Sequence, residues 1–124
     1  MPWEFRSDCP IYAQLIEKIE QKICSGVYPP GTKLPPVRDL AQEAAVNPNT
    51  MQRALARLED VGLLYTHRTS GRFVTEDTDL IRQLKNRLVQ EHIRDFLEKM
   101  RQLGFGREEI LAAISRIMEE SKDE

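Results

Sequence analysis

Long apolar runs, paired cysteines and histidine clusters are all missing from this 124-residue chain. No stretch approaches the roughly 20 apolar residues needed to cross a bilayer, and Met1 to Arg6 carry no apolar signal-peptide core. A cytoplasmic location without a membrane partner is therefore expected. Cys9 and Cys24 form no C-x-x-C pair and have only His67 and His92 as possible co-ligands, at the wrong spacing, so neither a zinc site nor a redox motif is signalled. Both thiols read as bystanders or small buried hydrophobes. A nucleophile, base and orienter set is absent, as is a Gly-rich phosphate loop, which argues against an enzyme. No metal and no cofactor is expected. An excess of one charge sign is lacking too: 18 Lys+Arg against 20 Asp+Glu give -2, not the basic balance that marks many nucleic-acid binders.

What the chain does have is helical periodicity. Its length fits one compact domain, or a small domain with a helical appendage. Ile11, Leu15, Ile16, Ile19 and Ile23 recur at three- and four-residue steps, which predicts an amphipathic helix over Pro10 to Ser25. Asp8 is a candidate cap and Gly26 a stop. Val27 to Pro36 hold four prolines and a glycine, an ordered but non-helical connection. A short helix over Val37 to Ala44 and a second over Pro48 to Val61 then flank a tight break. Asn47 can cap the second by accepting from the N–H of Asn49 or Thr50, and Pro48 suits the first helical position. Met51, Ala54, Leu55, Leu58 and Val61 fall on one face of that helix. Asn49, Gln52, Arg53, Ala56 and Arg57 fall on the other.

Leu63 to His67 and Arg72 to Thr75, separated by Arg68, Thr69, Ser70 and Gly71, read as a β-hairpin. Beyond Asp77 a stripe from Leu80 to Leu103, interrupted by His92, predicts a helix of about 26 residues. Gly104 and Gly106 mark a turn, and a last helix runs from Arg107 to about Ser121. The predicted fold is mostly α with a small β-hairpin (α+β). Helix, helix-turn-helix and hairpin in that order, over residues 1–76, are the plan of a winged helix-turn-helix domain whose second paired helix enters the major groove. Residues 77–124 are then a two-helix dimerisation segment. Its interface residues are expected to be Leu84, Leu88, Ile93, Phe96, Leu97, Met100, Ile110 and Ile114, since an outward apolar seam needs a cover.

Six ordered pieces add a resemblance: P-I-Y-A-Q-L at Pro10 to Leu15, G-V-Y-P-P-G-T-K-L-P at Gly26 to Pro35, V-R-D-L-A at Val37 to Ala41, V-N-P-N-T-M-Q-R-A at Val46 to Ala54, L-E-D-V-G-L-L at Leu58 to Leu64 and G-R-F-V at Gly71 to Val74. At this spacing the chain resembles the GntR transcriptional regulators, and among them the short YtrA-like branch. The resemblance implies a homodimer that binds double-stranded DNA at an inverted-repeat operator, most often as a repressor, and in this branch often beside a transporter operon. It leaves room for a small-molecule effector of unknown identity. It implies a DNA contact by Arg38, where a guanidinium can bind phosphate or the O6/N7 edge of guanine. Pro36, Ala45, Pro48 and Thr69 depart from the common pattern, which carries Ser, Gly, Arg and Gly there.

The residues themselves point to the same surface. Asn47, Asn49 and Thr50 open the recognition helix, where side chains come nearest to base edges, and Gln52, Arg53 and Arg57 continue its polar face. His67, Arg68, Thr69, Gly71 and Arg72 form the hairpin tip, suited to the minor groove or the backbone. Charge is distributed accordingly, because Ala44 to Leu58 and Val61 to Thr75 contain arginines and no acid. The alternative, a winged-helix module for protein contacts, would call for aromatic or aliphatic anchors on the outer face of the second helix.

Overall fold

The computed structural model describes residues 3–122. The chain forms α1 (Ile11–Cys24), α2 (Val37–Ala44), α3 (Pro48–Asp60), β1 (Leu64–His67), β2 (Gly71–Val74), α4 (Thr78–Gln102) and α5 (Arg107–Glu120). It divides into two compact units, Met1–Lys85 and Asn86–Glu124. The boundary lies inside α4 rather than at the expected 76/77 junction. Asp77 caps α4 by accepting from the N–H of Leu80 at 3.1 Å, and Leu84 is only 5% exposed, so the first turns of α4 belong to the first unit.

In the first unit α3 is the central element, packed against α1, α2 and β1. Leu15, Ile19, Leu40, Met51, Leu55, Leu58, Leu64 and Val74 are fully buried and form one core. Each such side chain contributes on the order of 2 kcal/mol by leaving water. The periodic positions read from the sequence are those the fold buries. Ile11, at the first position of α1, and Val61, which caps α3, are exceptions and stay exposed, and Ile16 is half-buried.

The helix ends show how local chemistry sets the geometry. Asp8 does not cap α1, because Pro10 occupies the N-cap position and no side chain bonds there. The segment before α1 is tied down instead by Gln14, a buried side chain that accepts from the Arg6 N–H and donates to the carbonyls of Arg6 and Cys9. Pro36 leaves α2 without a side-chain cap, as its missing donor and acceptor predict, while Asp39 in the first turn faces the positive helix pole. Asn47 caps α3 through the Asn49 N–H at 2.8 Å.

The turn between α2 and α3 runs through Ala45 in the left-handed region, φ 60° and ψ 46°. The Val46 N–H closes it on the carbonyl of Ala41 at 2.9 Å, a Schellman-type ending. Ala45 is the one non-glycine residue with positive φ among the described residues.

The hairpin pairs Leu64 with Val74, Tyr65 with Phe73, Thr66 with Arg72 and His67 with Gly71. A third segment joins it. Lys33 bridges Phe73 in antiparallel sense, the Leu34 N–H donates to the Arg72 carbonyl, and the Val74 N–H donates to the Thr32 carbonyl, both at 2.9 Å. The proline-rich connection thus covers the outer edge of β2, and Pro35 and Pro36 end the pairing because neither can donate.

In the second unit α4 continues to Gln102 and turns through Gly104, φ 86°, with the Phe105 N–H bonded to the Met100 carbonyl. Glu109 accepts from the Gly106 N–H and fixes the start of α5. Ile93, Phe96, Leu103, Leu111, Ile114, Ile117 and Met118 remain exposed. Ile110 is 6% exposed, buried within the single chain as Leu84 is, so these two do not lie on an open seam.

A left-handed alanine carries strain that glycine lacks, on the order of 1 kcal/mol. Ala45→Gly should therefore stabilise the protein by about 0.5–1 kcal/mol, read from the midpoint of urea unfolding; a loss of stability would contradict the turn geometry.

Candidate nucleic-acid interface

On α3, successive residues rotate by about 100°, which sends Met51, Ala54, Leu55 and Leu58 inward and Asn49, Gln52, Arg53 and Arg57 outward. All four outward residues are exposed, and Thr50 is half-buried beside them. The buried stripe fixes the azimuth of the helix, and with it the direction in which these donors point. Arg53 is further ordered by Tyr12 of α1, whose ring lies 4.6 Å from the guanidinium carbon. Asn47 uses one acceptor position of its side-chain oxygen for its cap. Arg38, second in α2, is exposed.

The wing has two different faces because strand residues alternate. On one, Tyr65 and Phe73 stack with ring centroids 5.6 Å apart, and His67 packs edge-on to both at 5.3 and 5.2 Å. On the other, the cross-strand pair Thr66 and Arg72 meets Glu59 from the last turn of α3. One carboxylate oxygen of Glu59 accepts from the Thr66 hydroxyl at 2.6 Å and from Arg72 Nε. Burial pushes the Glu59 carboxyl up, but the hydrogen bonds from Thr66 and Arg72 and the positive charge of Arg72 outweigh it and hold it below the ordinary carboxylate value. The Arg72 side chain is 16% exposed. Arg72, expected at the DNA surface, is thus drawn into an ion pair with α3.

Arg68, Thr69 and Ser70 form the exposed turn. Gly71, at φ 109°, has a close neighbour that sequence reasoning missed: a Cβ there would stand 3.0 Å from Lys33 Cε and 3.7 Å from its Nζ. The only sequence hint was that Leu34, two residues before Pro36, is apolar in an otherwise breaker-rich stretch. No local pattern identifies β2 as its partner. Lys33, Pro36, Val37, Ser70 and Gly71 line a shallow groove between the wing and the start of α2.

Among the described residues no group of three or more His, Cys, Asp or Glu side chains is placed to hold a metal ion, and no helix is long and apolar enough to cross a membrane. A cationic, amide-rich helix face flanked by a basic hairpin matches the requirements of groove reading, in which donors and acceptors meet base edges while cations meet phosphates.

Comparison with known proteins agrees. Residues 11–74 match the family described as bacterial regulatory proteins, gntR family. The chain is 36% identical over 116 residues to the uncharacterized HTH-type transcriptional regulator YhcF of Bacillus subtilis (strain 168), spanning 94% of this chain and 96% of that protein. It is also 36% identical over 98 residues to the HTH-type transcriptional repressor YtrA of the same organism, over 79% of this chain and 71% of YtrA. Among solved structures, a GntR family transcriptional regulator from Listeria monocytogenes superposes with a TM-score of 0.84 at 39% identity, covering 90% of this chain and 98% of that one. The AraR DNA-binding domain in complex with operator ORX1 superposes with a TM-score of 0.52 at 32% identity, covering 60% of this chain and 93% of that one. With its winged helix-turn-helix unit and these relatives, the chain belongs to the gntR family of bacterial transcriptional regulators.

Proposed function

We propose that this protein is a repressor that binds an inverted-repeat operator as a homodimer, placing α3 in the major groove and the wing against the flanking backbone or minor groove. The observation that carries this reading is the outer face of α3: exposed Asn49, Gln52, Arg53 and Arg57 on a helix whose other face is locked into the core. Asn and Gln can pair with adenine and Arg with guanine, so the face can read sequence as well as charge. Arg38 adds a contact at the start of α2. Aromatic or aliphatic anchors, which a protein-docking helix would use, do not occupy that face.

The second unit supports dimerisation. Ile93 at 50% exposure, Phe96 at 39% and Ile117 at 56% would leave more apolar surface in water than a small monomeric unit usually tolerates. A second copy can cover these side chains symmetrically, and joining two half-site contacts raises affinity through effective concentration. The sources of operator affinity are then modest phosphate neutralisation and two rigid reading helices, consistent with a chain of net charge -2. Regulation of a transporter operon is the corresponding genomic expectation for a YtrA-like regulator.

Duplexes selected from random DNA should carry an inverted repeat. On such a duplex Arg38→Ala and Gln52→Ala should each weaken binding about 10- to 100-fold, the loss expected for one bidentate contact, without changing the thermal midpoint. Unchanged affinity in both would refute the assignment of this face. Ile93→Glu combined with Phe96→Glu should sediment as a monomer with reduced operator affinity; a variant that still sediments as a dimer would refute the interface.

A further inference from the structure

We propose that the wing meets the phosphate backbone through Lys33 rather than Arg72, and that Arg72 is a positioning residue which, with Glu59, fixes the wing to the recognition helix. The inference rests on the DNA-binding reading given above and refines it.

Three observations converge. First, the Arg72 side chain is largely enclosed and its Nε donates to the same Glu59 oxygen that accepts from Thr66. Glu59 therefore holds both strands of the hairpin at the cross-strand pair Thr66 and Arg72. With its Nε held by Glu59 and its side chain only 16% exposed, Arg72 has little of its guanidinium to offer a phosphate, and letting go of Glu59 would leave a carboxylate in a partly enclosed place beside an anionic ligand. That exchange is unfavourable on both counts.

Second, Lys33 occupies the place from which a cation can act. It lies on the segment that pairs with the free edge of β2, and its side chain crosses the space left open by Gly71. Gly71 pairs with His67, the last pair before the turn, so the Lys33 ammonium is delivered toward the tip of the wing. A Cβ at position 71 would stand 3.0 Å from Lys33 Cε, so the lysine would have to shift aside by a few tenths of an ångström. The glycine thus has a partner as well as a backbone conformation to satisfy.

Third, Glu59 comes from α3 itself. Any rotation of the hairpin must break bonds to the helix that reads the bases, so helix and wing move as one body. Lys33 is exposed and makes no ion pair with a described acid, in contrast to Arg72.

The salt dependence of operator binding separates the two roles, because each phosphate contact adds about 0.9 to the slope of log Kobs against log salt concentration. For a dimer, Lys33→Gln should lower the magnitude of that slope by about two and leave the thermal midpoint unchanged. Arg72→Gln and Glu59→Gln should weaken binding with the slope retained, and their combination should cost little more than either alone, the signature of a shared contact. A slope lowered by Arg72→Gln but not by Lys33→Gln, or additive losses at 59 and 72, would overturn the proposal. Should Arg72→Gln or Glu59→Gln fail to fold, the exposed Lys33→Gln variant still decides, since an unchanged slope refutes the contact. Arg38→Ala serves as the reference: weakened binding by Arg38→Ala beside a normal Lys33→Gln slope sinks this inference alone, whereas no effect from either sinks the interface reading with it.

Discussion

Helix α3 has to satisfy two solvents at once, and the arrangement of the DNA-binding unit follows from that. Its inner stripe of Met51, Ala54, Leu55 and Leu58 is covered by α1, α2 and β1. Burial on so many sides leaves the helix little freedom to rotate about its axis. Since specificity in a groove depends on donors held at fixed positions, the apolar face is what makes the polar face useful. Glu59 extends the same rigidity to the wing, and Tyr12 extends it to Arg53. Recognition chemistry and core packing are therefore properties of the same thirteen residues.

Charge works by placement rather than by sum. The chain carries a net charge of -2, yet the outer face of α3 and the wing turn display arginines with no acid between Ala44 and Leu58 or between Val61 and Thr75. Two acids, Glu59 and Asp60, separate these stretches, and Glu59 is engaged by Arg72 and Thr66. A protein so balanced gains little from non-specific attraction to DNA, which puts the weight of binding on fitted contacts. The exposed apolar residues of α4 and α5 are the surface on which the proposed pairing of two such units rests.

Helices and hairpin were legible because each is specified by local signals. The three- and four-residue recurrence placed α1 to α5 within a residue or two, Asn47 with Pro48 fixed the start of α3, and the left-handed turn at Ala45 falls where the resemblance puts a glycine. What was not legible is non-local. Nothing near Lys33 announces pairing with Phe73, nothing near Arg72 announces an acid thirteen residues earlier, and Leu84 looks like any other residue of the α4 stripe although it is buried in the single chain. Asp8 failed as a cap for the opposite reason: Gln14, an ordinary polar helix residue, made the bonds that hold the preceding segment. Of the candidate interface, the outward residues of α3 were readable from periodicity alone. The division of labour between Lys33 and Arg72 requires the sheet edge and the α3 carboxylate to be seen together.

The central claim is that two copies of α3 read base edges in the major groove of one duplex. Methylation interference on a selected operator tests it directly, because methyl groups at guanine N7 obstruct the major groove and those at adenine N3 obstruct the minor groove. The account predicts two symmetric blocks of guanine N7 interference with centres about one helical turn apart, or a whole multiple of it, and weaker adenine N3 effects confined to positions beneath the wings. Interference at adenine N3 alone, or a single unsymmetric block, would contradict it.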